Sequence, residues 1–166
     1  MKITLLGFMG SGKSTVGREL SAITGLPLID LDCLIVDITG MTIPELFKVH
    51  GEKGFRELEA RLLKETLLRE GGAVISTGGG APAYGKNMEV IGELSRSVFL
   101  KTSFETLWER ISKDPNRPLV RLGKERLKEL YEKRIPYYER AEITVECDGR
   151  SPGEIAEEII SRLSST

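Results

Sequence analysis

Residues 7–14 read Gly-Phe-Met-Gly-Ser-Gly-Lys-Ser, directly after the apolar run Ile3-Thr-Leu-Leu6. The pattern G-x-x-x-x-G-K-[ST] is met by Gly7, Gly12, Lys13 and Ser14, with Gly10 as an extra glycine. Main-chain N–H groups can wrap closely around phosphate oxygens only where side chains do not obstruct them, so the turn is rich in glycine. A helix that begins at Lys13 points its positive end at the same anion. In such a loop the lysine reaches the β- and γ-phosphates of a nucleoside triphosphate, and the Ser14 hydroxyl can bind Mg²⁺. Gly10, Ser11, Gly12, Lys13, Ser14 and Thr15 are therefore the candidate phosphate contacts. Thr15 either touches phosphate or only begins the helix.

The rest of the chain agrees with a loop between a strand and a helix. Val16, Leu20 and Ile23 share one helical face, and Gly25 is placed to end that helix. Further strands are expected at 27–30, 73–77, 97–100 and 143–145. Between them, 31–50 reads as two short helices broken near Gly40, with Thr42 capping the second and Pro44 near its start. A long helix is expected over 52–70, a poorly defined one over about 85–94, and others over 104–112 and 123–140. Pro136 is expected to break or kink the last of these. Ser151-Pro152 opens the final helix as an N-cap and N1 pair. Strands alternating with helices predict an α/β chain whose parallel sheet is covered on both faces.

Composition narrows the functions. The 166 residues fit one domain, and the net charge of -1 argues against a general nucleic-acid binder. Nothing approaches the ~20 apolar residues of a membrane span, and the N-terminal apolar run is too short for a secretory signal. Two cysteines, Cys33 and Cys147, far apart and without metal-ligand spacing, suit reduced thiols. A cytoplasmic protein is expected.

Beyond the loop, four groups of residues stand where chemistry could occur. Asp30-Leu-Asp32 follows the second strand, where strand carboxyl ends line a ligand crevice. Strand alternation would put both acids on one side. They either divide metal and substrate duties or are solvated acids, with Asp32 capping the next helix. Arg56 and Glu59 can meet across one helical turn. Spacing alone favours an exposed ion pair over a guanidinium held ready for a carboxylate. Arg117, in the Asn116-Arg-Pro-Leu119 loop, could close over a transferring phosphate, and Arg134 could face an anion. Gly78-Gly79-Gly80 after the third strand allows either a tight crossover or a close main-chain approach to a ligand.

Taken together, the 7–15 loop, Asp30-Leu-Asp32, Phe55-Arg56 with Glu59, Ser76-Thr-Gly-Gly-Gly80, Asn116-Arg-Pro-Leu119 and Arg134-Ile-Pro-Tyr137 closely resemble shikimate kinase, over nearly the whole chain. The resemblance implies a three-layer α/β/α fold like that of nucleoside monophosphate kinases, with a five-stranded parallel sheet in the order 2-3-1-4-5. It implies phosphoryl transfer from ATP to shikimate, giving ADP and shikimate 3-phosphate. It also implies one Mg²⁺ per subunit and a monomer. A shikimate-binding segment would fall at about 31–60 and a lid at about 112–124. Asp32, Arg56, Gly78, Gly79, Gly80 and Arg134 would bind shikimate, with both arginines on its carboxylate and Asp32 on its ring hydroxyls. Phe47 and Phe55 would pack on the ring, although both also suit ordinary core roles. Asp30 would support Mg²⁺ beside Ser14, because Ser76 and Thr77, not an acid, end the third strand. Lys13, Asp32 and Arg117 would be catalytic, and Arg110 and Arg150 would flank adenine. Two rivals remain open from the residues: another small-molecule kinase of the same fold, gluconate kinase being the nearest, and a nucleotide-binding switch without transfer.

Overall fold

The computed structural model describes residues 1–115 and 118–165. The element order is β1 (Lys2–Leu6), α1 (Lys13–Thr24), β2 (Leu28–Asp30), α2 (Leu31–Thr39), α3 (Ile43–Leu68), β3 (Ala73–Ser76), α4 (Asn87–Leu94), β4 (Arg96–Lys101), α5 (Phe104–Ile111), α6 (Lys124–Tyr138), β5 (Ile143–Glu146) and α7 (Pro152–Ser164). Single 3₁₀ turns cover Ala81–Ala83 and Pro118–Leu122.

The five strands pair in parallel in the order β2-β3-β1-β4-β5. Successive side chains leave a strand on opposite faces. Thus Ile3, Leu5, Val74, Val98 and Leu100 pack with Val16 and Leu20 of α1 and Ile155 and Ile159 of α7. Leu6, Ile75 and Phe99 face the other layer, with Leu31, Leu63, Ile91, Leu107 and Tyr138 from the remaining helices. The sheet is therefore covered on both faces, which its near-continuous apolar strands require.

Central strand β1 has β3 on one side and β4 on the other. Chain direction through the sheet diverges there, so the carboxyl ends of these strands leave a crevice. The Gly7–Gly12 loop leaves β1 into it, Gly78–Gly80 leaves β3, and Asp30 closes the end of β2.

The local signals mostly hold. Gly25 ends α1 at φ 75°, and its N–H donates to Ser21 O. Thr42 and Glu45 form a reciprocal capping box, and the Ser151 hydroxyl accepts from Glu154 N. The expected second short helix and long helix are continuous as α3 except at Gly51, whose φ of 71° and ψ of 174° interrupt the helix. Pro136 does not break α6: it sits in the last turn, and the helix ends two residues later at Tyr138. Its missing N–H removes one hydrogen bond where the helix is already finishing. Among the described residues, no helix is long and apolar enough to cross a membrane.

Candidate active site

The phosphate loop has the shape its glycines allow. Gly10 and Gly12 take φ of 80° and 93°, in the left-handed region that side-chain-bearing residues avoid. Ser11 N donates to Phe8 O at 3.1 Å, and Val16 N to Gly12 O at 2.8 Å, which joins the loop to α1. The Lys13 ammonium lies across the loop, donating to Gly7 O at 2.5 Å and Phe8 O at 3.2 Å. The Ser11 hydroxyl is buried without a hydrogen-bond partner among the described residues.

A cavity of about 520 Å³ opens over this loop. Gly10 through Thr15 line it, together with Asp30, Asp32, Ser76, Thr77, Gly78 and Gly79. Arg110 and Arg150 also line it. Arg110 Nη1 donates to Gly10 O at 3.0 Å, and Arg150 Nη1 meets Glu158 Oε1 at 2.7 Å. Sequence reasoning missed Cys147, Pro152 and Ile155, which line the cavity too. Cys147 is 1% exposed, and burial pushes its thiol up to about 11, so it is an inert wall group. Both cysteines are free.

The two aspartates do not share a strand face as alternation suggests. β2 stops at Asp30, and Asp32 lies in the first turn of α2. It is Asp30 that caps: its Oδ1 accepts from Cys33 N at 3.1 Å, and its Oδ2 accepts from the Ser14 hydroxyl at 3.4 Å. Asp32 is thereby released to face the cavity. Its carboxyl is held above the ordinary range, mainly by burial and then by Asp30, against the opposing pull of Lys13 and Arg56.

A second cavity of about 590 Å³ lies beyond the glycine turn, lined by Arg56, Gly80, Tyr84, Lys133, Arg134 and Tyr137 among others. The glycine turn borders both cavities, Gly78 and Gly79 lining the first and Gly80 the second, and each glycine stands against one candidate side chain. A Cβ at Gly78 would lie 2.9 Å from Asp32 Oδ1. One at Gly79 would lie 3.3 Å from Arg134 Nη1, and one at Gly80 would overlap the Arg56 guanidinium. Asp32, Arg134 and Arg56 thus converge on one stretch of bare main chain beside the phosphate loop.

Arg56 is not the exposed ion partner that its spacing suggests. Nη1 donates to Glu59 Oε1 at 2.8 Å, and the Glu59 side chain is 1% exposed. Burial raises the Glu59 carboxyl above its ordinary range, with Arg56 opposing. The guanidinium rests on aromatic rings, with Cζ 5.3 Å from the Phe55 centroid and 5.8 Å from Phe47. Those rings stack at 4.5 Å, and neither lines either cavity. Arg134 is supported in the same way, 5.6 Å over Phe8, and burial lowers its pKa. Arg117 lies outside the described residues.

A phosphate cradle beside two supported guanidinia and a buried carboxylate is a nucleotide site adjoining a site for a hydroxylated carboxylate. The family model described as shikimate kinase matches residues 9–164. The chain belongs to the shikimate kinase family. The shikimate kinase of Persephonella marina is 41% identical over 161 residues, covering 97% of this chain and 98% of that protein. A solved shikimate kinase from Acinetobacter baumannii, in complex with shikimate, is 36% identical with a TM-score of 0.91. That match covers 99% of this chain and 93% of the other. A gluconokinase from Sinorhizobium meliloti, at 20% identity and a TM-score of 0.61 over 99% of this chain and 91% of that one, shares the fold alone. In this chain the phosphate loop and the Arg56–Glu59 pair stand in built geometry. Tyr138, which sequence reasoning passed over, also joins the site: its hydroxyl donates to Gly79 O at 2.6 Å. Its only signal was a position four residues after Arg134, on the same helical face.

Proposed function

We propose that this chain transfers the γ-phosphoryl group of ATP to the 3-hydroxyl of shikimate, releasing ADP and shikimate 3-phosphate. The observation that carries the reading is the convergence of Asp32, Arg56 and Arg134 on Gly78–Gly80, next to the phosphate loop. Shikimate is a small carboxylate with ring hydroxyls. It calls for paired guanidinium donors, a hydroxyl acceptor and main-chain donors.

Arg56 and Arg134 bind the carboxylate. Arg56 is pre-oriented by Glu59 and its two rings, so little side-chain entropy is lost on binding. Asp32 accepts a hydrogen bond from the 3-hydroxyl and aligns it with the γ-phosphorus. The main-chain amides of Gly79 and Gly80 serve as donors on the same side. Transfer breaks the bond from the γ-phosphorus to the β,γ-bridging oxygen and forms one to the 3-oxygen. The hydroxyl proton leaves through Asp32, whose buried carboxyl binds a proton more readily than a solvated one. The Lys13 ammonium and the loop amides stabilise charge on the phosphoryl oxygens. Arg117, by family resemblance, adds a cation there.

Ser14 and Asp30 suit Mg²⁺ carried in with ATP. Their oxygens stand 3.4 Å apart on the cavity wall, and among the described residues no three or more His, Cys, Asp or Glu are placed to hold a metal ion by themselves. A cation that keeps several waters and takes the rest of its ligands from phosphate needs no more. When bound, Mg²⁺ would neutralise phosphate charge. Arg110 and Arg150 flank the adenine. The protein works as a cytoplasmic monomer, with a shikimate-binding segment near 31–60 and a lid near 112–124.

The decisive assay mixes the protein with Mg-ATP and an acceptor panel that includes shikimate and gluconate, and follows ADP release and the phosphorylated product. Shikimate 3-phosphate is expected. Preferential turnover of gluconate, or nucleotide binding without ADP release on any acceptor, would overturn the reading.

A further inference from the structure

Arg134 and Tyr138 stand four residues apart on α6, so their side chains leave the helix on one face. Arg134 reaches the second cavity. Tyr138 instead is fully buried, its ring 5.2 Å from that of Phe99 and its hydroxyl donating to Gly79 O at 2.6 Å. Tyr138 thus holds the glycine turn from the same helix face that carries Arg134.

The bond to Gly79 O has a directional consequence. A peptide unit is planar and trans, so its C=O and N–H point in opposite directions. Holding Gly79 O against Tyr138 turns the Gly80 N–H away from α6. Glycines lack the side-chain packing that would otherwise fix such a unit, and their backbone is the most permissive in the chain. Something must hold this turn still if its amides are to serve as donors. Gly79 and Arg134 are also adjacent, at 3.3 Å from the position of an added Cβ to Nη1, so movement of either is felt by the other.

We infer that Tyr138 is a positioning residue for the acceptor substrate: its phenol hydroxyl fixes the Gly79–Gly80 peptide, against which the Arg134 guanidinium lies. It lines neither cavity, so it acts on shikimate through the glycine turn that it holds. Burial pushes the phenol up to about 12, so the hydroxyl remains a donor across the working pH range. The inference rests on the phosphoryl-transfer reading above.

Tyr138→Phe removes one oxygen and leaves the ring on Phe99, so the variant is expected to fold. A second variant, with p-aminophenylalanine at position 138, restores a donor at the same place. Loss of an oriented hydrogen bond to a buried acceptor predicts that the shikimate KM of Tyr138→Phe rises about tenfold, while its ATP KM stays within about twofold. The p-amino variant is expected to recover most of the shikimate KM. A merely structural tyrosine would lower Tm, moving both KM values together or neither, and the added donor would not rescue shikimate KM. Either pattern overturns the inference. Wild-type protein that leaves shikimate untouched would instead sink the functional reading. Turnover of shikimate by wild type beside an unchanged shikimate KM in Tyr138→Phe would sink the Tyr138 role alone.

Discussion

The Arg56 guanidinium is held by the carboxylate of Glu59, Nη1 to Oε1 at 2.8 Å, and the acceptor is buried while the guanidinium remains 15% exposed at the cavity. The anion is spent on orientation and the cation's open edge is left for a ligand. Removing the anchor should therefore affect the acceptor substrate first. Glu59→Gln keeps the shape and loses the charge. We expect shikimate KM to rise by about tenfold or more, with ATP KM unchanged, as measured by steady-state kinetics with each substrate varied in turn.

Gly80→Ala tests the close approach from the other side. Gly80 has φ -89° and ψ -16°, which alanine adopts freely, so the backbone is not strained. The three atoms nearest the added methyl all belong to the end of Arg56, a flexible side chain. The variant should fold and displace the guanidinium, with Tm lowered only as far as the buried Glu59 carboxylate loses its partner. Loss of a charge-assisted contact predicts a shikimate KM raised roughly 10–100-fold. A large fall in Tm with unchanged shikimate KM would show that the glycine serves the fold and not the ligand.

Asp32 sets activity against stability. Its folded carboxyl titrates above the ordinary 3.8, mainly because it is buried. The folded state therefore holds this proton more tightly than the unfolded state does. The resulting stability is full below the ordinary value and is lost as pH rises through the folded one. Asparagine is neutral throughout and loses nothing. Asp32→Asn should melt above wild type at about pH 7, with the gap closing toward about pH 3. Its kcat should fall by about 10²-fold or more if Asp32 takes the proton. Full kcat in Asp32→Asn would remove it from the base role and leave only orientation.

Arg150 separates the nucleotide from the acceptor. It lines the first cavity and not the second, anchored by Glu158 and by Glu146 O at 2.9 Å. If Arg150 stacks on adenine as proposed, Arg150→Ala should raise the ATP KM about 3–30-fold, with shikimate KM unchanged. Direct nucleotide titration by calorimetry checks this independently of turnover.

The phosphate loop, the alternation of strands and helices and most helix caps were legible in the chain because each depends on neighbours within about four residues. Gly12 must be glycine for φ 93°, and Thr42 with Glu45 caps α3 wherever that helix lies. Sheet order came with the family resemblance and was met in the fold. Pairings that depend on burial were not legible. Arg56 and Glu59 at one-turn spacing look the same on a solvated helix as in a site; only the layer packed over Glu59 makes the pair costly to break. Asp30 and Asp32 look equivalent until α2 begins between them and assigns one to capping and one to the cavity. Tyr138 lies 59 residues from the carbonyl it holds, and no local pattern announces that bond. Short-range geometry is written residue by residue, whereas desolvation belongs to whatever the fold brings alongside. The sequence by itself therefore determined where phosphate can sit, and the tertiary structure decided which charges stand ready beside it.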